Sequence, residues 1–126
     1  MPKKILIIDD DPTSNTLVSF LLKTNGYQTL TAGDGKEGLE LAEQEKPDLI
    51  ILDVMMPEMD GYTFLREFKR NNYLNMPPII MLTSKEKMEE TFRLEGVADY
   101  FVKPLDTNKL LKKIKELIPP QTREQP

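Results

Sequence analysis

The chain has 126 residues, of which 39% are hydrophobic and 30% are charged, and this is the composition of one ordinary globular domain. It contains no cysteine and no histidine, which excludes disulfides, thiolate-ligated metals, cysteine nucleophiles, Ser-His-Asp sites and a phosphohistidine of its own. The net charge is −4, and because duplex DNA repels an acidic surface, direct nucleic-acid binding by this chain is not expected.

Five short runs of sequence predict β-strands. In chain order they are residues 5–8, 28–32, 49–52, 79–82 and 100–102. All but the second are continuously apolar rather than alternating, which is typical of strands buried on both faces of a parallel sheet. The weaker second run is typical of an edge strand.

Five amphipathic segments predict helices, one after each strand. Their apolar positions are Leu17, Val18, Leu21 and Leu22; Leu39 and Ala42; Phe64, Leu65 and Phe68; Met88 and Phe92; and Leu110, Leu111, Ile114, Leu117 and Ile118. The residues expected to begin or end these helices are Asp11, Gly26 (at C′), Asp60, Ser84, Gly96, and Asp106 or Thr107.

Strands and helices therefore alternate along the whole chain. This order predicts an α/β fold with a single doubly wound, five-stranded parallel sheet, right-handed crossovers and five helices on its two faces. The expected strand order is 2-1-3-4-5, as in flavodoxin-like folds. We assign residues 1–119 to this one domain and residues 120–126 to a polar tail or the start of a linker.

The sequence contains no apolar run that approaches the ~18 residues of a membrane span. Only four apolar residues precede Asp9 after the N-terminal lysine pair, too few for a signal peptide. We therefore expect a cytoplasmic location and no membrane partner.

Polar side chains follow four of the strands at one edge of the predicted sheet. Asp9 and Asp10 end the first strand and Asp53 ends the third, and the strand order places these two strands side by side at the topological switch point. Thr83 and Lys103 follow the fourth and fifth strands. Three carboxylates at one site repel one another by several kcal/mol, which a divalent cation and the lysine would offset. Because every protein ligand would be oxygen, Mg²⁺ is the expected ion.

The chemistry of this edge favours phosphoryl transfer over nucleotide binding. No glycine-rich loop follows the first strand, so no nucleotide cradle is expected, and an acidic first turn repels a bare phosphate such as that of a flavin nucleotide. A carboxylate beside a metal ion, a hydroxyl and an ammonium can attack phosphorus, while the cations neutralise the phosphoryl oxygens.

Four motifs occur in a fixed order along the chain. They are Asp9-Asp10, the segment LDVMMPEMDG at residues 52–61, the segment LTS at residues 82–84 and the segment YFVKP at residues 100–104. Together they resemble the signature set of bacterial response-regulator receiver domains of two-component phosphorelay systems. The resemblance extends from residue 4 to about residue 118 and implies the fold of the chemotaxis regulators.

The resemblance also implies a role for each matching acidic residue. Asp53 would be the phosphoacceptor, modified from the phosphohistidine of a histidine kinase or phosphotransfer protein, with Mg²⁺ as cofactor. Asp10 would ligate the metal directly and Asp9 largely through water. Asp53 and the backbone carbonyl of Met55 would be further ligands.

The remaining motif residues would form the switch. Thr83 would move toward the phosphoryl group, Tyr100 would turn inward behind it, and Lys103 would pair with the phosphoryl oxygens, while Pro57 and Gly61 shape the loop after the acceptor. Such a protein is a signalling switch rather than an enzyme, apart from self-catalysed phosphoryl uptake and slow autodephosphorylation.

The output surface is expected on the fourth helix, fifth strand and fifth helix, where a partner or a second, phosphorylated copy would bind. The stretch between Thr83 and Lys103 is slightly shorter than is usual in the family. This predicts a trimmed fourth helix or a trimmed loop before it.

Two alternatives remain open on the sequence. The letters DDDPT after the first strand also fit the D-x-D-x-T motif of haloacid-dehalogenase-type phosphatases, with Asp9 as nucleophile, Asp11 as acid/base and Thr83 and Lys103 as later motif residues. That alternative leaves Asp53 unexplained. The second is an interaction module that is never phosphorylated, although every expected site residue is present.

Overall fold

The computed structural model describes residues 2–72 and 74–120, in which strands and helices alternate. The elements are β1 (Lys4–Ile8), α1 (Pro12–Lys23), β2 (Gln28–Ala32), α2 (Gly35–Glu45), β3 (Leu49–Leu52), α3 (Gly61–Asn72), β4 (Ile79–Thr83), a 3₁₀ turn (Glu86–Met88), α4 (Glu89–Leu94), β5 (Asp99–Val102) and α5 (Thr107–Leu117). Of the tail proposed from the sequence for residues 120–126, residues 121–126 lie outside the described residues.

The five strands form one parallel sheet in the order β2-β1-β3-β4-β5, which confirms the predicted topology. Strand β1 lies between β2 and β3, with Ile8 opposite Ala32 on one side and Leu52 on the other. The continuous apolar runs of β3 and β4 are buried throughout, since helices cover both faces. Strand β2 is at the edge, as its weaker pattern predicts, and is only partly buried.

Alternate side chains of β1 point into two separate cores. Leu6 and Ile8 pack with residues of α2, α3 and α4 on one face of the sheet. Ile5 and Ile7 pack with residues of α1 and α5 on the other face. Both cores therefore use the central strands whose ends carry the acidic residues.

The predicted helix caps are confirmed at three N-termini. The carboxylates of Asp11, Asp60 and Asp106 accept hydrogen bonds from backbone N–H groups two or three residues further on, at 3.0, 2.8 and 3.1 Å. Gly96 follows α4 in the left-handed region. Gly26 also has a positive φ. The N–H of Tyr27 donates to the carbonyl of Leu22 and the N–H of Gly26 donates to that of Lys23, which is the hydrogen-bond pattern of a helix end with glycine at the predicted C′ position.

The fourth helix is shorter than its apolar pattern predicts. Instead of beginning near Ser84, the segment forms the 3₁₀ turn first, and α4 has only 6 residues. Met88, predicted as a helical position, stands at the junction with φ −102° and ψ 2°, which are not helical values. The short spacing between β4 and β5 therefore removes the first part of this helix, in line with the expected trimming.

Within the described residues, no helix combines the length and the apolar character needed to cross a membrane.

Gly61 allows the first turn of α3 to approach the loop that follows β3. Its N–H donates to the carbonyl of Val54 at 2.8 Å. A Cβ at residue 61 would overlap the carbonyl oxygen of Asp53 and lie 2.9 Å from the Cα of Val54. Because both obstacles are backbone atoms, a rotamer change cannot relieve the overlap.

We expect Gly61→Ala to lower the free energy of unfolding by about 1–3 kcal/mol, the usual cost of overpacking. Urea denaturation measures this change. The matched control is Gly33→Ala, because the nearest atom to a Cβ there is the carboxylate oxygen of Glu37 at 4.0 Å, and its effect should stay within about 0.5 kcal/mol. Equal unfolding midpoints for the two variants would contradict this account of α3.

Candidate functional site

Three carboxylates converge at the carboxyl ends of β1 and β3. One oxygen from each of Asp9, Asp10 and Asp53 lies within 4.8 Å of the others. Asp9 and Asp53 are buried, with 3% and 6% exposure, whereas Asp10 is exposed. The structure thus brings together the acidic residues that the sequence places at this edge.

Backbone hydrogen bonds that continue the sheet hold these residues in place. The N–H of Asp9 donates to the carbonyl of Ala32 at 3.1 Å, and the N–H of Asp53 donates to the carbonyl of Ile8 at 3.0 Å. The carboxylate of Asp9 also accepts from the N–H of Asp11 at 2.9 Å, and that of Asp53 accepts from the N–H of Met55 at 3.2 Å. Hydrogen bonds with main-chain groups therefore fix both the backbone and the carboxylate of Asp9 and of Asp53.

Lys103 supplies the positive charge of the site. Its Nζ lies 2.7 Å from Oδ2 of Asp9 and 3.7 Å from Oδ2 of Asp53. The N–H of Lys103 donates to the carbonyl of Thr83 at 2.7 Å, which continues the β4–β5 ladder and anchors the start of the side chain. One ammonium thus faces both buried carboxylates, as the sequence predicts.

These surroundings change the proton affinity of two groups. Burial raises the pKa of Asp53, and the negative charge of Asp9 adds to this effect, while hydrogen bonds from Thr83 and Met55 and the charge of Lys103 oppose it. Burial alone would lower the pKa of Lys103, but its hydrogen bond to Asp9 and the nearby carboxylates outweigh burial and raise it. Lys103 therefore stays charged. The ionised form of Asp53 is less favourable in the folded chain than in water.

The two predicted switch residues meet at Lys85. The hydroxyl of Thr83, which is fully buried, accepts a hydrogen bond from the N–H of Lys85 at 3.2 Å. The hydroxyl of Tyr100 donates to the carbonyl of Lys85, and its ring lies 6.0 Å from that of Phe92 between centroids. The ring of Tyr100 already lies inward here, with 5% exposure, so the inward turn expected from the sequence is not needed to reach this position.

The loop after β3 forms one wall of an open cleft beside the acids. Asp10, Val54 to Pro57, Asp60 and Lys85 line this cleft. The N–H of Met59 donates to the carbonyl of Pro57 at 2.7 Å and Glu58 adopts a positive φ, so the loop is a tight turn. Met55 is half exposed and only its N–H is seen to contact Asp53. The metal-ligand role of its carbonyl stays a prediction.

Asn15 is a site residue that the motifs did not identify. Its Nδ2 donates to the carbonyl of Asp9 at 2.7 Å and to that of Ala32 at 3.4 Å. The signal was present, because Asn15 is an amide on the buried stripe that continues through Val18, Ser19 and Leu22 of α1.

The chain matches the family model "Response regulator receiver domain" over residues 5–115. It belongs to this family. The receiver domain is 41% identical over 120 residues to the alkaline phosphatase synthesis transcriptional regulatory protein PhoP of Bacillus subtilis, covering 94% of this chain but 49% of PhoP. It therefore spans about half the length of that relative.

Solved receiver structures share the fold. The chemotaxis protein CheY4 of Vibrio cholerae superposes with a TM-score of 0.85 at 32% identity, covering 94% of this chain and 100% of CheY4. CheY in the CheX-CheY-BeF3-Mg²⁺ complex of Borrelia burgdorferi superposes with a TM-score of 0.84 at 27% identity, covering 92% and 89% of the two chains. Membership of the receiver family replaces the dehalogenase-type alternative. The geometry agrees, because the carboxylate of Asp11, which would be the acid/base residue of that alternative, caps α1.

The raised pKa of Asp53 predicts that its carboxylate destabilises the fold at neutral pH. The folded chain binds the proton of Asp53 more tightly than the unfolded chain, whose ordinary pKa is 3.8. Stability is therefore lost as the pH rises from about 3.8 through the raised value and is regained on acidification. We expect Asp53→Asn to raise the Tm at pH 7, because it removes the buried negative charge. The rise should be roughly 4 °C for each kcal/mol of destabilisation that is removed.

Thermal unfolding of both proteins between about pH 3.5 and pH 8 tests this sign. The difference in Tm should be largest at neutral pH and should narrow toward the acidic end. The control is Glu116→Gln, which changes an exposed carboxylate on α5 and should leave the Tm nearly unchanged. A variant at residue 53 that melts below the wild type at pH 7 would refute the argument.

Proposed function

We propose that this receiver domain accepts a phosphoryl group on Asp53 from the phosphohistidine of a histidine kinase or phosphotransfer protein and acts as a phosphorylation-dependent switch. The observation that carries the proposal is the position of Asp53, whose buried carboxylate has two further acids within 4.8 Å and the ammonium of Lys103 at 3.7 Å. The open cleft beside it gives the donor access. A cytoplasmic location follows from such a donor.

In the transfer, a carboxylate oxygen of Asp53 forms the new bond to phosphorus as the bond between phosphorus and the donor imidazole breaks. The electron pair of the broken bond stays with the imidazole nitrogen. Lys103 is held ready for this step, because its charge already faces the oxygens of Asp53 and its raised pKa keeps it protonated. The hydroxyl of Thr83, at the end of the neighbouring strand, is the nearest candidate to donate to the phosphoryl group.

The acidic cluster fits a divalent cation, since three carboxylate oxygens lie within 4.8 Å of one another. When bound, Mg²⁺ supplies charge that neutralises the phosphoryl oxygens. Asp10 is the direct ligand in this proposal, with Asp53 and the carbonyl of Met55. Asp9 acts through water, because its two oxygens are engaged by Lys103 at 2.7 Å and by the N–H of Asp11 at 2.9 Å.

Phosphorylation adds about −1.5 to −2 charges at residue 53 and draws the hydroxyl of Thr83 away from Lys85. The N–H of Lys85 then loses its acceptor while its carbonyl stays bound to Tyr100. The change therefore passes to the segment before α4 and to β5. We propose the face of α4, β5 and α5 as the output surface, for a partner or a second copy, with the exposed lysines of α5 making its binding depend on salt.

Phosphoryl uptake tests the acceptor directly. Acetyl phosphate with Mg²⁺ should add one phosphoryl group to the wild type, visible in the intact mass and labile in base. Asp53→Asn should abolish the addition, because it removes the nucleophile. Asp11→Asn is the matched control and should retain it, since Asp11 caps α1 outside the acidic cluster. A phosphoryl group mapped to any other residue would overturn the proposal.

The coupling to the output surface is tested by Thr83→Ala. This variant should still accept the phosphoryl group at Asp53, because it keeps the nucleophile, the acids and Lys103. It should lose most of the amide NMR shifts that beryllofluoride with Mg²⁺ induces at Lys85, Tyr100 and along α5 in the wild type. Shifts at Tyr100 equal to those of the wild type would show that Thr83 is not the route.

A further inference from the structure

Asn15 joins helix α1 to the ends of two strands. It lies in the first turns of α1 and is 9% exposed. Its Nδ2 donates to the carbonyl of Asp9 at 2.7 Å and to the carbonyl of Ala32 at 3.4 Å. The carbonyl of Ala32 also accepts the N–H of Asp9 at 3.1 Å. Four polar groups are thus tied together where β1 and β2 end: the Asn15 amide, the carbonyl and N–H of Asp9, and the carbonyl of Ala32.

The carbonyl of Asp9 belongs to the peptide that links Asp9 to Asp10. A hydrogen bond to this carbonyl fixes the plane of that peptide, and with it the direction in which the Cα–Cβ bond of Asp10 leaves the backbone. Asp10 is exposed, so side-chain packing does little to restrain it. Its placement within 4.8 Å of the other two acids therefore depends on the backbone that Asn15 holds.

Burying the side-chain amide of Asn15 costs free energy. Its Oδ1 is buried and accepts no hydrogen bond from the residues of the described part of the chain. A buried acceptor without a donor is destabilising, and an apolar residue like Val18 or Leu22 on the same stripe would avoid this. The benefit of Asn15 therefore lies in the hydrogen bonds that its Nδ2 donates to the carbonyls of Asp9 and Ala32.

We propose that Asn15 is a positioning residue for Asp10, which it orients as a metal ligand by holding the peptide between the two acids. This inference rests on the proposed function, since it assumes that Asp10 ligates Mg²⁺. Asn15 itself contacts neither the metal nor the phosphoryl group. Its contribution is to remove the freedom of the loop between β1 and α1 before the metal binds.

The test is the Mg²⁺ affinity of Asn15→Leu, which keeps the size of the side chain and removes the donor. Titration with Mg²⁺ alone, followed by amide NMR, should give a Kd about tenfold weaker than that of the wild type, the lower end of the range for groups that orient metal ligands. Phosphoryl uptake from acetyl phosphate should need correspondingly more Mg²⁺, with its maximal rate unchanged. A purely structural role would not weaken Mg²⁺ binding while leaving the maximal rate of phosphoryl uptake unchanged.

Ser19→Ala is the matched control. Ser19 lies one turn further along α1, is equally buried at 9% exposure, and also ties the helix to β2 through a 2.7 Å hydrogen bond to the hydroxyl of Thr29. Its loss should lower the Tm while leaving the Mg²⁺ affinity at the wild-type value. An Asn15→Leu protein with wild-type Mg²⁺ affinity would overturn the inference.

A second measurement applies if Asn15→Leu does not fold. In the wild type, the side-chain amide signals of Asn15 should shift on addition of Mg²⁺ with the same half-saturation as the backbone amide of Asp10. Side-chain signals that do not move would likewise overturn the inference. Failure of the wild type to bind Mg²⁺ or to be labelled would instead refute the proposed function.

Discussion

Repulsion among the three carboxylates at the ends of β1 and β3 is the constraint on which the rest of the structure depends. Two of them, Asp9 and Asp53, are buried, and burial makes the ionised form of Asp53 costly. Each neighbouring element contributes some compensation. Lys103 follows strand β5, strand β4 ends in the hydroxyl of Thr83, and the loop after β3 turns the N–H of Met55 toward the carboxylate of Asp53. A sheet in another order would separate these groups.

The compensating groups also connect the site to its neighbouring elements. Lys103 faces Asp9 and Asp53 together, so a change of charge at one carboxylate alters the field at the other through the same ammonium. The N–H of Lys103 donates to the carbonyl of Thr83, and the hydroxyl of Thr83 accepts from the N–H of Lys85. Three adjacent contacts therefore connect the carboxylates to β4, β5 and the segment before α4.

The fold could be predicted because its signals are strong and local. Continuous apolar runs identify strands buried on two faces, and single aspartates at residues 11, 60 and 106 mark helix starts. The site followed from topology, because parallel strands bring their carboxyl ends to one edge. The break at Met88 was not predicted, since an amphipathic pattern does not distinguish a 3₁₀ turn from the first turn of a helix. Asn15 was missed because its role is a contact with backbone carbonyls.

The way in which Lys85 contacts its neighbours leaves its side chain free to vary. Its contacts with the hydroxyls of Thr83 and Tyr100 both use main-chain atoms, the N–H toward Thr83 and the carbonyl toward Tyr100. Its side chain is exposed and lines the open cleft beside the acids. The side chain at residue 85 can therefore change, and with it the lining of the cleft, without breaking the main-chain contacts to Thr83 and Tyr100. Proline is the exception, because it lacks the N–H that the contact with Thr83 requires.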